Sequence, residues 1–127
     1  MLIRNILEES ARKFDEVKAV KWLNKKEIME RSYGELMENV VSTRKGLLAE
    51  GFEGKHIALI GTSSVEWMES YLGIITGCTT AVPLDAALPC EDLIDLLNRS
   101  DSAALFLSPK LRPYLDAFLA NCPKLQK

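Results

Sequence analysis

Gly61-Thr62-Ser63-Ser64 joins an apolar run to an amphipathic one. A strand-to-helix turn of this composition can hold a phosphate, because a helix N-terminus offers free N–H groups and a positive dipole end. The residues match neither G-x-x-x-x-G-K-[ST] nor G-x-G-x-x-G, and no lysine stands where it would clamp a phosphate. Helix capping accounts for both serines, with Ser63 and Glu66 at capping-box spacing. His56 is the one histidine, and a catalytic base is its alternative reading. It opens a strand, at the end away from the usual ligand edge, and has no orienting partner. Cys78 follows Gly77 at a helix end, where the dipole opposes a thiolate. Cys90, near a helix N-terminus, is the better candidate for a reactive thiol. Trp67 and Tyr71 are four apart and either stack on a base or pack a core; core packing is the ordinary use of that spacing. Helix-dipole complement and a solvated face explain Glu91, Asp92 and Asp95 better than a metal does. Asp85, just past the carboxyl end of a strand, stays open as a ligand residue. No catalytic, cofactor-binding or metal-ligating residue is assigned, because no complete constellation is present.

The elements that position these groups read strand, helix, strand, helix, strand from His56 to Leu107. His56 to Gly61, Thr79 to Leu84 and Ala103 to Leu107 are apolar runs, and Ser63 to Ile75 and Glu91 to Asn98 are amphipathic. Continuous apolar strands alternating with helices predict a parallel sheet covered on both faces. Such sheets bind ligands at the carboxyl ends of their strands. Pro83 is expected to end the second strand. Pro89 sits near the start of the following helix, with Glu91 and Asp92 in its first turn.

Before this unit, Asn5 to Phe14 reads as a short helix with Ile3, Ile6, Leu7, Ala11 and Phe14 at helical spacing. Lys18 to Arg31 reads as a hairpin turning at Asn24-Lys25-Lys26. Ser32 and Glu35 form a capping box for a helix that buries Leu36, Met37, Val40, Val41, Leu47 and Leu48. Arg44 lies near that face, its stem expected along the core edge and its head in water. Gly51 is a left-handed terminator. After the sheet unit, Ser108-Pro109 opens a helix over Lys110 to Ala120 with Leu111, Leu115, Phe118 and Leu119 inward. Asn121 to Lys127 resembles a turn that precedes a further strand, so residues 1–127 read as a single partial domain that stops within its alternation.

Bulk properties exclude several classes. A net charge of −2 gives no reason to expect nucleic acid or an anionic membrane as partner. No apolar run of about 18 residues spans a bilayer, and the N-terminal residues soon reach Glu8 and Glu9 with no signal-like apolar region. Three cysteines without metal-ligand spacing read as reduced thiols of a cytoplasmic protein. A flavodoxin-like or response-regulator-like domain would need a flavin loop or an acidic pocket, and neither is evident.

Tyr33-Gly34-Glu35-Leu36, a helix ending at Gly51-Phe52, and Gly54-Lys55-His56-Ile57-Ala58-Leu59 together carry a resemblance. It continues through Ser64-Val65-Glu66-Trp67, Tyr71-Leu72-Gly73-Ile74, Gly77-Cys78, Val82-Pro83-Leu84-Asp85, Glu91-Asp92-Leu93 and Ala104-Leu105-Phe106. In order and spacing these are similar to the N-terminal portion of acyl-adenylate-forming enzymes, such as fatty-acyl-CoA synthetases, nonribosomal peptide synthetase adenylation domains and luciferases. Ser63 stands where that family often has Asn, and Cys78 where it often has Ala; both keep a capping or small residue.

The resemblance implies an α/β fold: an N-terminal helix and β-hairpin, then a Rossmann-like parallel βαβαβ unit within a larger N-terminal domain. It implies a parent ligase that activates a small-molecule carboxylic acid with ATP and Mg²⁺, and then transfers the acyl group to coenzyme A. The family's phosphate loop, adenine pocket, ribose-binding acid and C-terminal lysine match no stretch of this chain. The fragment alone is therefore expected to bind no cofactor and to be inactive. The alternative is an interaction module that dimerises through an exposed sheet edge or complements the rest of a split enzyme.

Overall fold

A computed structural model describes residues 2–127. In chain order it holds α1 (Ile3–Lys13), β1 (Lys18–Asn24), β2 (Glu27–Ser32), α2 (Tyr33–Ala49), β3 (His56–Ile60) and α3 (Val65–Ile75). Then follow β4 (Thr80–Leu84), α4 (Cys90–Arg99), β5 (Ser102–Leu107), a 3-10 segment (Pro109–Tyr114) and α5 (Leu115–Asn121). The antiparallel hairpin β1–β2 and the parallel three-stranded sheet are those the sequence patterns predict.

The sheet order is β4-β3-β5, with β3 in the centre. Side chains alternate across β3. Ala58 and Ile60 face a core with Leu93, Leu97, Phe118 and Cys122, under α4 and α5. Ile57 faces the opposite core with Leu47, Phe52 and Ile74, under α2 and α3. Burial on both faces is why β3 reads as a continuous apolar run rather than an alternating one.

Local chemistry sets the element ends. The Ser32 hydroxyl accepts the Glu35 N–H at 3.1 Å, and the Glu35 carboxylate accepts the Ser32 N–H at 3.5 Å, completing the expected capping box. Gly51 takes φ +80, a conformation that costs glycine no Cβ clash. Gly73 is needed for contact: a Cβ there would meet Thr43 Cβ at 2.5 Å and the Val40 carbonyl at 3.2 Å. Its absence lets α2 and α3 pack backbone to side chain.

Several expectations are corrected. The α3 cap is Ser64, not Ser63: its hydroxyl accepts the Trp67 N–H at 3.1 Å, and Glu66 falls one position short of a capping box. Pro83 does not end its strand; β4 continues to Leu84 with Pro83 opposite Leu59. An edge strand tolerates the missing N–H. The α1 helix starts at Ile3 and buries none of its residues; Ile3, Ile6 and Phe14 are exposed. Its half-buried residues, Leu7, Ser10 and Ala11, lie on the side that meets α2. Arg4 donates to the Glu8 carboxylate at 2.9 Å, and Arg44 lies 3.5 Å from the same carboxylate.

The Arg44 head is not in water. The residue is only 8 % exposed: its stem packs at Gly77, just past α3, and among the described residues its Nε and Nη2 are buried without a hydrogen-bond partner. The last helix is also two segments. Pro113 lies inside a 3-10 stretch, whose tighter winding rotates the apolar face relative to an α-helix. Phe118 is buried, Leu111 and Leu115 are half-buried, and Leu119 is exposed. Leu48 of α2 is likewise exposed. The closing residues do turn back to the sheet: Gln126 donates to the Ala103 carbonyl at 2.8 Å, and the Lys127 carbonyl accepts from Leu105 at 2.9 Å.

Candidate functional site

Strand order creates the cleft. From β3 the chain leaves through α3 over one face to β4. From β5 it leaves through the 3-10 segment and α5 over the other face. Two neighbouring loops that diverge to opposite faces open a crevice at the carboxyl ends of their strands. Here that crevice is a cleft of about 390 Å³ between Gly61-Thr62 and Phe106 to Pro109, walled by Trp67 and Ser70 of α3. A second hollow of about 520 Å³ shares Gly61, Thr62 and Trp67 with it and extends to Asp85 past β4.

A backbone bond closes the base of the cleft. Ser108 donates its N–H to the Ile60 carbonyl at 2.9 Å. A Cβ on Gly61 would stand 3.1 Å from the Ser108 Cβ, so glycine lets the two turns close on each other. Trp67 and Tyr71 stack with ring centroids 5.2 Å apart and planes 16° from parallel. Both are half-buried. Trp67 is therefore packing and cleft wall at once, a combination the spacing alone did not separate.

Of the residues singled out from the sequence, the cleft region gathers Gly61, Thr62, Ser63, Ser64, Trp67 and Asp85. The Ser64 hydroxyl is committed to its cap. Asp85 sits at the ligand edge, and its Oδ1 accepts the Ala87 N–H at 2.9 Å, which shapes the turn after β4. His56 lies at the opposite end of β3, where its Nδ1–H donates to the Ser100 carbonyl at 2.7 Å. Nearby, a hydrogen bond from Lys124 holds the Asp101 carboxyl below its usual range. Cys78 is exposed, in the turn that enters β4. Cys90 begins α4 and packs on the core that contains Cys122. Burial pushes the Cys122 thiol up, and the neighbouring Cys90 adds to this. Asp95 pairs with Arg99 at 3.0 Å on a solvated face.

Sequence reasoning missed Ser70, Phe106 and Ser108 as lining residues. Ser108-Pro109 carried a usable signal, since it follows β5 as Gly61-Thr62 follows β3. It also missed a buried ionic cluster. Glu69 of α3 is 6 % exposed, and its Oε1 lies 3.4 Å from Arg31 Nη2. Burial raises the Glu69 pKa, against the lowering influence of Asn39 and Arg31.

A sequence profile described as AMP-binding enzyme matches residues 7–126. The chain belongs to the AMP-binding enzyme family. Solved structures agree on the fold of this family member. The anthranilate CoA ligase AuaEII, in complex with anthranoyl-AMP, superposes with TM-score 0.86 at 19 % identity, over 99 % of this chain and 24 % of that one. The N-terminal domain of FACL13 from Mycobacterium tuberculosis gives 0.87 at 20 %, over 99 % and 33 %. A Mycobacterium tuberculosis fatty acyl CoA synthetase gives 0.86 at 20 %, over 98 % and 25 %. The chain thus spans about a quarter to a third of the length of these structures. No curated protein sequence matches it. Among the described residues no helix is long and apolar enough to cross a membrane.

Proposed function

We propose that this chain is the N-terminal framework of an ATP-dependent carboxylic acid ligase that forms an acyl-AMP with Mg²⁺ and passes the acyl group to coenzyme A. The observation that carries this reading is the family match across residues 7–126. A carboxylate is a poor acyl donor, and joining it to AMP supplies a good leaving group. The charge that develops needs cations and positioned donors.

The cleft residues do not fit that polyphosphate chemistry unaided. The charged side chains lining the two hollows are Glu66 and Asp85, and both repel a phosphate. What the chain supplies is position: the sheet holds the Gly61 and Ser108 turns against each other, and Trp67 and Phe106 give the cleft apolar walls. The setting we propose is the cytoplasm, in keeping with three free thiols.

The 127-residue chain alone is expected to release no pyrophosphate from ATP with Mg²⁺ and a panel of carboxylic acids. A pyrophosphate assay checks this, and steady turnover would overturn the framework reading.

One observation favours a second reading, the interaction module. Among the described residues two backbone bonds meet the outer edge of β5, from Gln126 N–H to Ala103 and from Leu105 N–H to Lys127, and the strand beyond Leu105 is where another strand would add. The β4 edge is less receptive because Pro83 lacks a donor. Pairing along β5 makes a homodimer, or docks the rest of a split enzyme. Sedimentation over a wide concentration range separates the outcomes: a mass that rises toward the dimer supports self-pairing, and a constant monomer removes it.

A further inference from the structure

The hairpin β1–β2 differs in character from the rest of the chain. Residues 18–32 carry five Lys and Arg against two Glu, in a protein of net charge −2. Leu23 and Ile28 stand directly opposite each other in its register. They are 69 % and 71 % exposed, at the end of the ribbon away from α2. The opposite face is the packed one: Trp22 pairs with Met29, and the Arg31 guanidinium lies 5.5 Å over the Trp22 ring.

The apolar pair is ringed by lysines. Lys21 shares the outer face, and Lys25 and Lys26 form the turn, Lys25 at φ +57. Glu30 is approached by both Lys18 and Lys21 at 3.8 Å, in exposed pairs that hold little energy. Glu27 is the other carboxylate at the tip, and it limits the local surplus of positive charge.

We propose that this hairpin tip docks on an anionic phospholipid surface. Leu23 and Ile28 enter the headgroup and acyl boundary while Lys21, Lys25 and Lys26 meet the phosphates. The composition selects lipid over a protein partner. Protein interfaces deplete lysine and draw their energy from Tyr, Trp and Arg in pockets. The tip offers aliphatic side chains on a projecting turn with lysines that snorkel, the pattern of interfacial anchoring. This inference does not depend on the ligase reading.

Co-sedimentation of the 127-residue chain with phosphatidylcholine vesicles, with and without phosphatidylserine, tests it. Binding to the anionic vesicles is expected to be at least roughly tenfold tighter, and to weaken in high salt. K25E/K26E and L23S/I28S are each expected to lose roughly tenfold, with thermal melts like the parent because all four side chains are exposed. No binding to anionic vesicles, or equal binding to both kinds, overturns the proposal without any variant. A loss with K25E/K26E but none with L23S/I28S overturns it too, since that marks a general polyanion contact such as an acidic protein.

Discussion

Replacing Phe118 with alanine is expected to cost about 3–5 kcal/mol of stability. Phe118 has no solvent-exposed surface and is the largest fully buried side chain among the described residues. It packs with Ile60, Leu93 and Leu97 and meets Tyr114 edge-on at 6.1 Å. The α4–α5 side of the sheet thus closes around one ring. Truncation loses its transfer free energy and leaves a cavity that a rigid sheet cannot collapse into. Domains of this size have about 5–15 kcal/mol in total, so much of the margin goes. A melting temperature lower by about 10–25 °C is the readout. Leu119→Ala is the control on the next residue: that side chain is 53 % exposed, and its loss is expected to change stability by under about 0.5 kcal/mol. Equal shifts for the two variants would mean that α5 does not dock as described.

Arg31→Met is expected to cost about 3 kcal/mol at neutral pH, because it strands the Glu69 carboxylate. The Glu69 side chain is 8 % exposed and that of Arg31 23 %. Among the described residues Glu69 Oε2 and Arg31 Nε are buried without hydrogen-bond partners, so the pair is not well compensated even intact. Burial already raises the Glu69 pKa from its ordinary 4.5, and Asn39 and Arg31 hold it down only in part. The direction of the pH dependence follows. The folded state binds this proton more tightly than the unfolded state does. Its contribution is therefore complete below the ordinary value of 4.5 and is lost as pH rises through the raised folded value. Without the guanidinium that window moves higher, and the variant's deficit shrinks on acidification. Glu69→Gln removes the titration: its stability is expected to lose this component of the pH slope and to exceed the parent's above the window. Urea midpoints from about pH 4 to about pH 8 decide it. An Arg31→Met deficit that is the same across that range would refute the account.

Both predictions concern residues whose surroundings only the folded chain reveals, but to different degrees. Phe118 lies on a helical pattern that marks it inward, and only its degree of burial was new. Leu119, marked inward by the same pattern, is exposed, because Pro113 and the 3-10 winding change the phase upstream. Glu69 and Arg31 carried no signal at all. A glutamate among Trp67, Met68, Tyr71 and Leu72 reads as an ordinary helix residue, and Arg31 as the end of a hairpin strand. Their meeting depends on how α2, packed on both β2 and α3, brings the two elements together.

Residue order alone determined the element types up to β5, the hairpin, the Ser32 cap and the parallel sheet, because apolar period, capping groups and glycine act within a few residues of chain. It also determined the family, since many weak motifs in one order are jointly specific. Tertiary structure decided which strand lies in the centre, and with it the cleft between the β3 and β5 turns. Strand order costs nothing that neighbouring residues can record; it is chosen by which helices cover which face. The same packing buried Arg44 and Glu69 and left Leu23 and Ile28 in water, because charge and apolarity say what a side chain prefers, whereas only its assembled neighbours set what it receives.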